Sequence, residues 1–371
     1  MKILVLADPG SAHTIKWVKY LCEKGVNIFL FGLNEFKEKD YSGIENLKVE
    51  SLKMDSEIFN KQEGNFSKIN YLKALPSISR IKKEYKPDIV HAHYASSYGL
   101  LGALSMFHPF ILSVYGSDVY SFPHKNLIAK KILQYNFSKA DRLLSTSKIM
   151  AEEIKKYTLK HIYITPFGID LNIFYPVETK EKLFNKEDIV VGTIKTMENK
   201  YGIQYLIKAF KKVKEKYPDI PLKLLLVGKG TEEDNLKKMV SDLGISDVTK
   251  FTGFISPADV SIYHNMLDIS VFVSREESFG VSVLEASACE KPVIVSNVGG
   301  LLEVAEDNVT GIIVEKENVE QTSDAIEKLV LDKKLRLTLG QNGRKRVLKY
   351  FNIEDNVETM LNIYKGVLSK N

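Results

Sequence analysis

Two carboxylates stand eight residues apart in SREESFGVSVLEASACEKPVIVSNVGG, residues 274–300. Glu277 belongs to a loop, and Glu285 falls about a turn and a half into a helix that Gly280 opens. Val281, Val283, Leu284 and Ala288 give that helix its apolar face. A glycine ahead of a helix lets a ligand approach backbone N–H groups that have no partner within the helix. The helix dipole favours negative charge at the same place, so a phosphate suits the turn formed by Ser278, Phe279, Gly280 and Val281. The two carboxylates are acceptors for sugar hydroxyls. Read alone, a Glu pair at a helix entrance is as readily two solvated charges, so the decision rests on the rest of the chain.

A diphosphate that departs with a bonding electron pair develops negative charge, and fixed cations must meet it. The apolar run IVVGTI is followed by KTMENKYGI, which offers Lys195 and Lys200 ahead of the next helix. Ordinary surface lysines are the plain alternative. Gly228 and Gly230 follow another buried run, LLLVGKG, where backbone closely approached by a ligand, or simply a tight turn, would require them. In DIVHAH, alternation puts His91 and His93 on one face, with His93 emerging at the carboxyl end of the strand. No HExxH, HxxE or cysteine cluster suggests a metal site.

Short apolar runs alternate with helical patterns throughout, which implies parallel sheets built of βα units. The first half reads KILVLA, NIFLFG, DIVHAH, FILSVYG, RLLSTS and HIYITPF. The second reads IVVGTI, LKLLLVG, TKFTGF, ISVFVS, PVIVS and GIIVE. Pro166, Gly168 and Pro176, with a polar run, end one sheet before the next begins. The expected division is a first domain over residues 1–168, joined by a closing helix over residues 354–371, and a second domain over residues 186–353.

With 371 residues, 44% of them hydrophobic and 27% charged, the chain reads as a globular protein of two domains. Cys22 and Cys289 each lie inside an apolar helical pattern, which favours reduced thiols in a cytoplasmic setting. The opening MKILVLADPG is too short in apolar residues for a signal peptide. Tyr94 to Ser117 carries no charged side chain, but Gly99, Gly102, His108 and Pro109 interrupt it and make it core. The net charge of +5 is uneven: residues 1–182 hold 26 Lys+Arg against 19 Asp+Glu, and the rest 26 against 28. A basic first half suits anionic lipid or a phosphorylated acceptor, while lysines scattered over solvated faces would give the same count. Residues 60–86, which mix Lys61, Lys68, Lys73, Arg80, Lys82 and Lys83 with Phe66, Tyr71, Leu72 and Leu75, are the expected membrane-surface segment, split by Pro76. No nucleic-acid module or dense basic–aromatic stripe is present.

The Glu277–Glu285 segment closely resembles the E-x7-E signature of retaining glycosyltransferases of family 4, which have the GT-B fold of two facing Rossmann-like domains. The likeness is dense over residues 190–315 and sparser over residues 1–170. It implies that Glu285 holds the nucleotide ribose and Glu277 the transferred sugar. It gives the backbone at Gly253, Phe254 and Ile255 to the base, and His93 to a hydroxyl of the donor sugar. The first βα loop, with Gly10 and Ser11 where a glycine pair is frequent, would approach the donor diphosphate. SVYGSDVY resembles the family's H-G-S-D element, with Tyr115 in the His position. Gly116, Ser117 and Asp118 would then meet acceptor or sugar hydroxyls, or form a local Asx-type turn. His13 is a further candidate for the acceptor. Thr193 stands where the family commonly has an Arg, which shifts the cationic role to Lys195 and Lys200, and Phe167 replaces the usual Asn. The family's last helix crosses back onto the first domain, and its members need no divalent ion.

The expectation is a metal-independent, retaining hexosyltransferase with no cofactor. It would move a hexose or N-acetylhexosamine from a nucleoside-diphosphate donor, UDP by family habit, to a glycan or lipid-linked acceptor of surface-glycan assembly. A peripheral place at the inner membrane face goes with that reading. A nucleotide-sugar epimerase or phosphorylase of the same fold, a two-carboxylate hydrolase, and a non-catalytic nucleotide-sugar-binding subunit are the alternatives.

Overall fold

The computed structural model describes residues 1–54, 67–179 and 183–369. The chain divides into two compact units, Met1–Phe167 with Glu354–Asn371, and Gly168–Ile353.

The first unit carries seven parallel strands: β1 (Lys2–Leu6), β2 (Asn27–Asn34), β3 (Leu47–Met54), β4 (Ile89–His93), β5 (Phe110–Val114), β6 (Arg142–Ser145) and β7 (Ile162–Ile164). Their order is β3-β2-β1-β4-β5-β6-β7. The central strands β1, β4 and β5 are buried almost throughout, as continuous apolar runs covered on both faces must be. The sequence reading omitted β3. LKVESLKM pairs only with β2 and lies at the sheet edge, so half-exposed polar residues interrupt its apolar pattern. Residues 94–117 form the helix Ser97–Leu104 and strand β5, which are largely buried, as expected, while Met106 and His108 between them are exposed.

The second unit has six parallel strands: β8 (Ile189–Ile194), β9 (Leu222–Val227), β10 (Thr249–Phe251), β11 (Ile269–Phe272), β12 (Val293–Ser296) and β13 (Gly311–Val314). Their order is β10-β9-β8-β11-β12-β13. Helix Ile203–Lys216 buries Ile203, Leu206, Ile207, Phe210 and Val213 against this sheet, which are the positions its spacing predicts. In both sheets the order reverses beside the first strand, between β1 and β4 and between β8 and β11. Open α/β sheets bind ligands at the carboxyl ends of the strands flanking such a reversal.

The last helix, Ile353–Leu368, belongs from Glu354 onward to the first unit. Val357, Met360, Leu361, Tyr364 and Val367 are all buried. A polar tie fixes its rotation: the Tyr364 hydroxyl lies 2.7 Å from His91 Nδ1, and His91 Nε2 lies 2.8 Å from Ser113 Oγ on β5. Tyr364→Phe leaves a wholly buried imidazole nitrogen without its partner. The variant should lose about 1–3 kcal/mol of stability, read as a lower urea midpoint at unchanged m-value.

Candidate functional site

In the second unit, Lys195 follows β8 and Glu277 follows β11, the two strands at the reversal. Lys195 Nζ stands 2.5 Å from Glu277 Oε2, and the side chains are only 13% and 12% exposed. The same ammonium lies 4.3 Å from the centroid of the Tyr201 ring, and Lys200 Nζ lies 5.0 Å from that ring. Both lysines singled out from sequence therefore flank one aromatic face, which favours cations. Only Lys195 meets the carboxylate, and Lys200 is exposed. Tyr201 went unremarked in the sequence, where it reads as one of 18 tyrosines.

Neighbouring backbone holds these groups in place. The Lys200 carbonyl accepts from Arg275 N–H at 2.7 Å, and the Glu277 carbonyl accepts from Gly300 N–H at 3.0 Å. Gly299, at φ 44°, presses so close that a Cβ would stand 2.1 Å from the Glu277 oxygen, so no side chain fits there. The space beside Gly228 is filled by the chain itself, since a Cβ there would lie 2.1 Å from the Lys195 carbonyl oxygen. The sequence left a ligand or a tight turn as the reason for that glycine. The structure assigns the close approach to the Lys195 loop, which Gly228 helps to position.

Helix Val281–Ala288 begins at Gly280, whose φ of 103° and missing side chain leave the first turn without a side-chain cap. Phe279 is buried and packs edge-on to Phe351 at 6.0 Å, so its side chain anchors the turn while its backbone lines it. Ser278 and Val281 are half-buried around it. One turn on, Glu285 Oε2 lies 3.5 Å from Nε2 of the wholly buried His264, a partner no sequence spacing suggested. The Gly253 carbonyl accepts from Gly228 N–H at 3.1 Å, Ile255 is half-buried, and Phe254 is 77% exposed. Among the described residues, no group of three or more His, Cys, Asp and Glu is arranged to hold a metal ion.

In the first unit, His93 ends β4 beside a run of rings. The Tyr115 hydroxyl lies 2.9 Å from His93 Nδ1, Tyr115 packs edge-on to Phe167 at 4.9 Å, and Phe167 stacks on His13 at 4.0 Å. Burial, then repulsion from His13, pushes His93 down to about 3, and burial together with His93 holds His91 well below its usual value. Both imidazoles are therefore neutral at physiological pH. Gly10 is exposed, its N–H held by Asp8 Oδ1 at 2.9 Å, and Ser11 starts the helix Ala12–Glu23. Of the Gly116, Ser117 and Asp118 element, Ser117 Oγ meets the Tyr94 hydroxyl at 2.6 Å, and Gly116 is buried.

For Asp118 the sequence left substrate hydroxyls and a local backbone turn as alternatives. Its carboxylate is wholly buried and accepts from the N–H groups of Ala95, Tyr115 and Gly116 at 2.6, 3.2 and 2.7 Å. Burial raises its pKa to about 6 against the opposing pull of these bonds. Its partners precede it in the chain, so it closes its own loop backward and ties the β4 loop to the β5 loop.

A family model described as glycosyl transferases group 1 matches residues 176–346, and one described as glycosyl transferase 4-like matches residues 2–147. An uncharacterized glycosyltransferase of Methanocaldococcus jannaschii is 28% identical over 361 residues, covering 96% of this chain and 93% of the relative. A capsular polysaccharide biosynthesis glycosyltransferase of Staphylococcus aureus is 34% identical, covering 50% of this chain and 49% of the relative. Among solved structures, an Anabaena protein in complex with UDP is similar at a TM-score of 0.78 and 16% identity, covering 99% of this chain and 100% of that one.

The buried histidines set a pH dependence. Unfolded imidazoles take up protons below about pH 6.5 whereas His91 and His93 in the fold do not, so acidification favours the unfolded chain. Asp118 acts oppositely between its ordinary 3.8 and about 6, where the folded state keeps a proton that the unfolded one releases. Each group changes stability by about 1.4 kcal/mol per pH unit in its window, so the two histidines outweigh the one carboxyl. His93→Asn should flatten the acid limb by that amount between roughly pH 6 and 3, measured by urea unfolding across pH. An unaltered slope would assign the acid lability elsewhere.

Proposed function

The chain belongs to the glycosyl transferases group 1 family and has the GT-B fold, and on that premise we propose that it is a retaining hexosyltransferase using a uridine-diphosphate sugar. The acceptor in this reading is a hydroxyl of a glycan or lipid-linked glycan in surface-polysaccharide assembly. The Staphylococcus aureus relative, named for capsular polysaccharide biosynthesis, supports that acceptor class, and the UDP held by the Anabaena protein supports the nucleotide.

One observation carries the reading: Lys195 and Glu277 are paired at 2.5 Å where the strand order reverses, and the Gly280 helix start follows three residues on. A diphosphate at that helix start brings more negative charge than one carboxylate and draws the Lys195 ammonium toward itself. Glu277, relieved of its cation, is then free to accept a hydroxyl of the sugar. Donor binding thus converts an internal ion pair into two substrate contacts. Glu285 accepts from the ribose, His93 meets a sugar hydroxyl, and Lys200 adds a second positive charge beside Tyr201.

In the reaction, the acceptor oxygen attacks the anomeric carbon on the face from which the diphosphate leaves. The bond from carbon to phosphate oxygen breaks, and that oxygen takes the acceptor proton. Configuration is kept without a covalent enzyme intermediate.

Lys195→Ala should lower turnover with the true UDP-sugar at least tenfold, and Lys200→Ala should do the same, as loss of a charge-stabilising group does elsewhere. UDP should raise the unfolding temperature of the wild-type protein in proportion to the logarithm of its concentration, and less in Lys195→Ala. Wild-type kinetics in both variants, or an inverted anomer in the product by NMR, would overturn the reading.

A further inference from the structure

Helix Leu127–Lys139 of the first unit turns Ala129, Leu133, Asn136 and Phe137 into the core. That inner face accounts for its packing on the sheet, but its outer face is unusual. Leu127 is 80% exposed and Ile128 is 66% exposed, and both stand in the first helical turn. With Lys131, Ile132 and Tyr135 they line one shallow, almost wholly apolar depression. Single exposed apolar residues are ordinary, whereas a contiguous set marks an interaction surface.

Charge selects among the occupants such a surface could take. Residues 125–139 contain Lys125, Lys130, Lys131 and Lys139 and no Asp or Glu. Lys125, Lys130 and Lys131 are exposed and make no ion pair among the described residues. Two copies meeting through this patch would oppose like charges with no acid to compensate them. A nucleic acid would answer the lysines but give Leu127 and Ile128 no apolar layer to enter. An anionic bilayer answers both, with acyl chains for the apolar pair and headgroup phosphates for the ammoniums around it.

The segment expected from sequence, residues 60–86, serves less well. Residues 60–66 lie outside the described residues. In the remainder, Arg80 is engaged by Glu50 at 2.6 Å and Lys82 donates to the Ser105 carbonyl at 2.5 Å. Those cations are committed within the protein. By contrast, the Leu127 turn follows β5 through the short helices Ser117–Tyr120 and Phe122–His124, which puts it at the carboxyl rim of the sheet, where β4 also presents His93. A membrane against that rim would present lipid-borne headgroups to the edge that carries His93 and Tyr115.

We propose that Leu127 and Ile128, ringed by Lys125, Lys130 and Lys131, form an insertion point through which the first unit docks on an anionic lipid surface. No helix among the described residues is long and apolar enough to cross a membrane, so the contact is a lateral one. The inference goes beyond the transfer reaction and is read without turnover, so either can fail alone.

The test is flotation of the full chain with vesicles of phosphatidylcholine, alone or mixed with phosphatidylglycerol. Binding should require phosphatidylglycerol and weaken with added salt. Leu127→Gln with Ile128→Gln should cut partitioning at least tenfold, and each of Lys125→Gln, Lys130→Gln and Lys131→Gln should cut it roughly fivefold. All these positions are exposed, so unfolding temperatures should stay at the wild-type value. Absence of flotation, equal binding to neutral vesicles, or binding unchanged in the Leu127–Ile128 variant would overturn the proposal. So would a dimer in sedimentation that this variant dissociates, since the occupant would then be a second copy.

Discussion

The ion pair between Lys195 and Glu277 joins the ends of β8 and β11, neighbouring strands whose following chains depart in opposite directions across the sheet. Parallel strands meeting at such a reversal leave a crevice that no crossover covers. Whatever lines the crevice must be held by its own loops. With both side chains about seven-eighths removed from solvent, each charge requires the other, because a lone ion there would bear an uncompensated desolvation cost. The pair is therefore stable as it stands and exchangeable only for a partner of higher charge. In the function proposed above, the donor diphosphate is such a partner.

Holding the pair is a task distributed over the whole carboxyl rim of the second sheet. The Lys195 N–H bonds to the Val227 carbonyl on β9, and Met197 N–H to Lys229. Gly228 links onward to Gly253 after β10, the Lys200 carbonyl takes Arg275 and Glu276 N–H after β11, and the Glu277 carbonyl takes Gly300 N–H after β12. Five successive loops are thus stitched by backbone hydrogen bonds, whose geometry tolerates little drift. Side chains would hinder this stitching where the loops crowd together, which gives the glycines at 228, 299 and 300 a packing role.

Much of this was legible in the residues. Continuous apolar runs marked the buried strands, and the E-x7-E spacing with Gly280 marked the loop, the helix start and the two carboxylates. What stayed hidden depends on how loops and helices close on one another. Tyr201 and His264 belong to no spacing rule, and only the fold brings them to Lys195 and Glu285. Strand β3 was missed because an edge strand need not be apolar. Asp118 stayed open between two readings because a polar residue in a loop after a strand looks the same whether it faces a substrate or its own backbone. The three N–H groups converging on it decide the matter. The outer face of helix Leu127–Lys139 could not be told from its core face by composition, since Leu and Ile occupy both the solvent and the core sides.

Two residues stand apart from the pattern that the sequence resembles: Tyr115 in the His position and Phe167 in place of Asn. In the structure they touch, with Phe167 sandwiched between His13 and the edge of Tyr115, and Tyr115 bonded to His93. A phenylalanine in a polar niche would be costly, and a tyrosine without a hydroxyl partner equally so, but together they make a closed aromatic packet with one polar exit. That exit fixes the neighbouring imidazole. Burial keeps the Tyr115 phenol protonated and His93 neutral, so the hydroxyl and Nδ1 share one hydrogen bond whose direction goes with the ring tautomer. The two substitutions together give the His93 ring a rigid aromatic support.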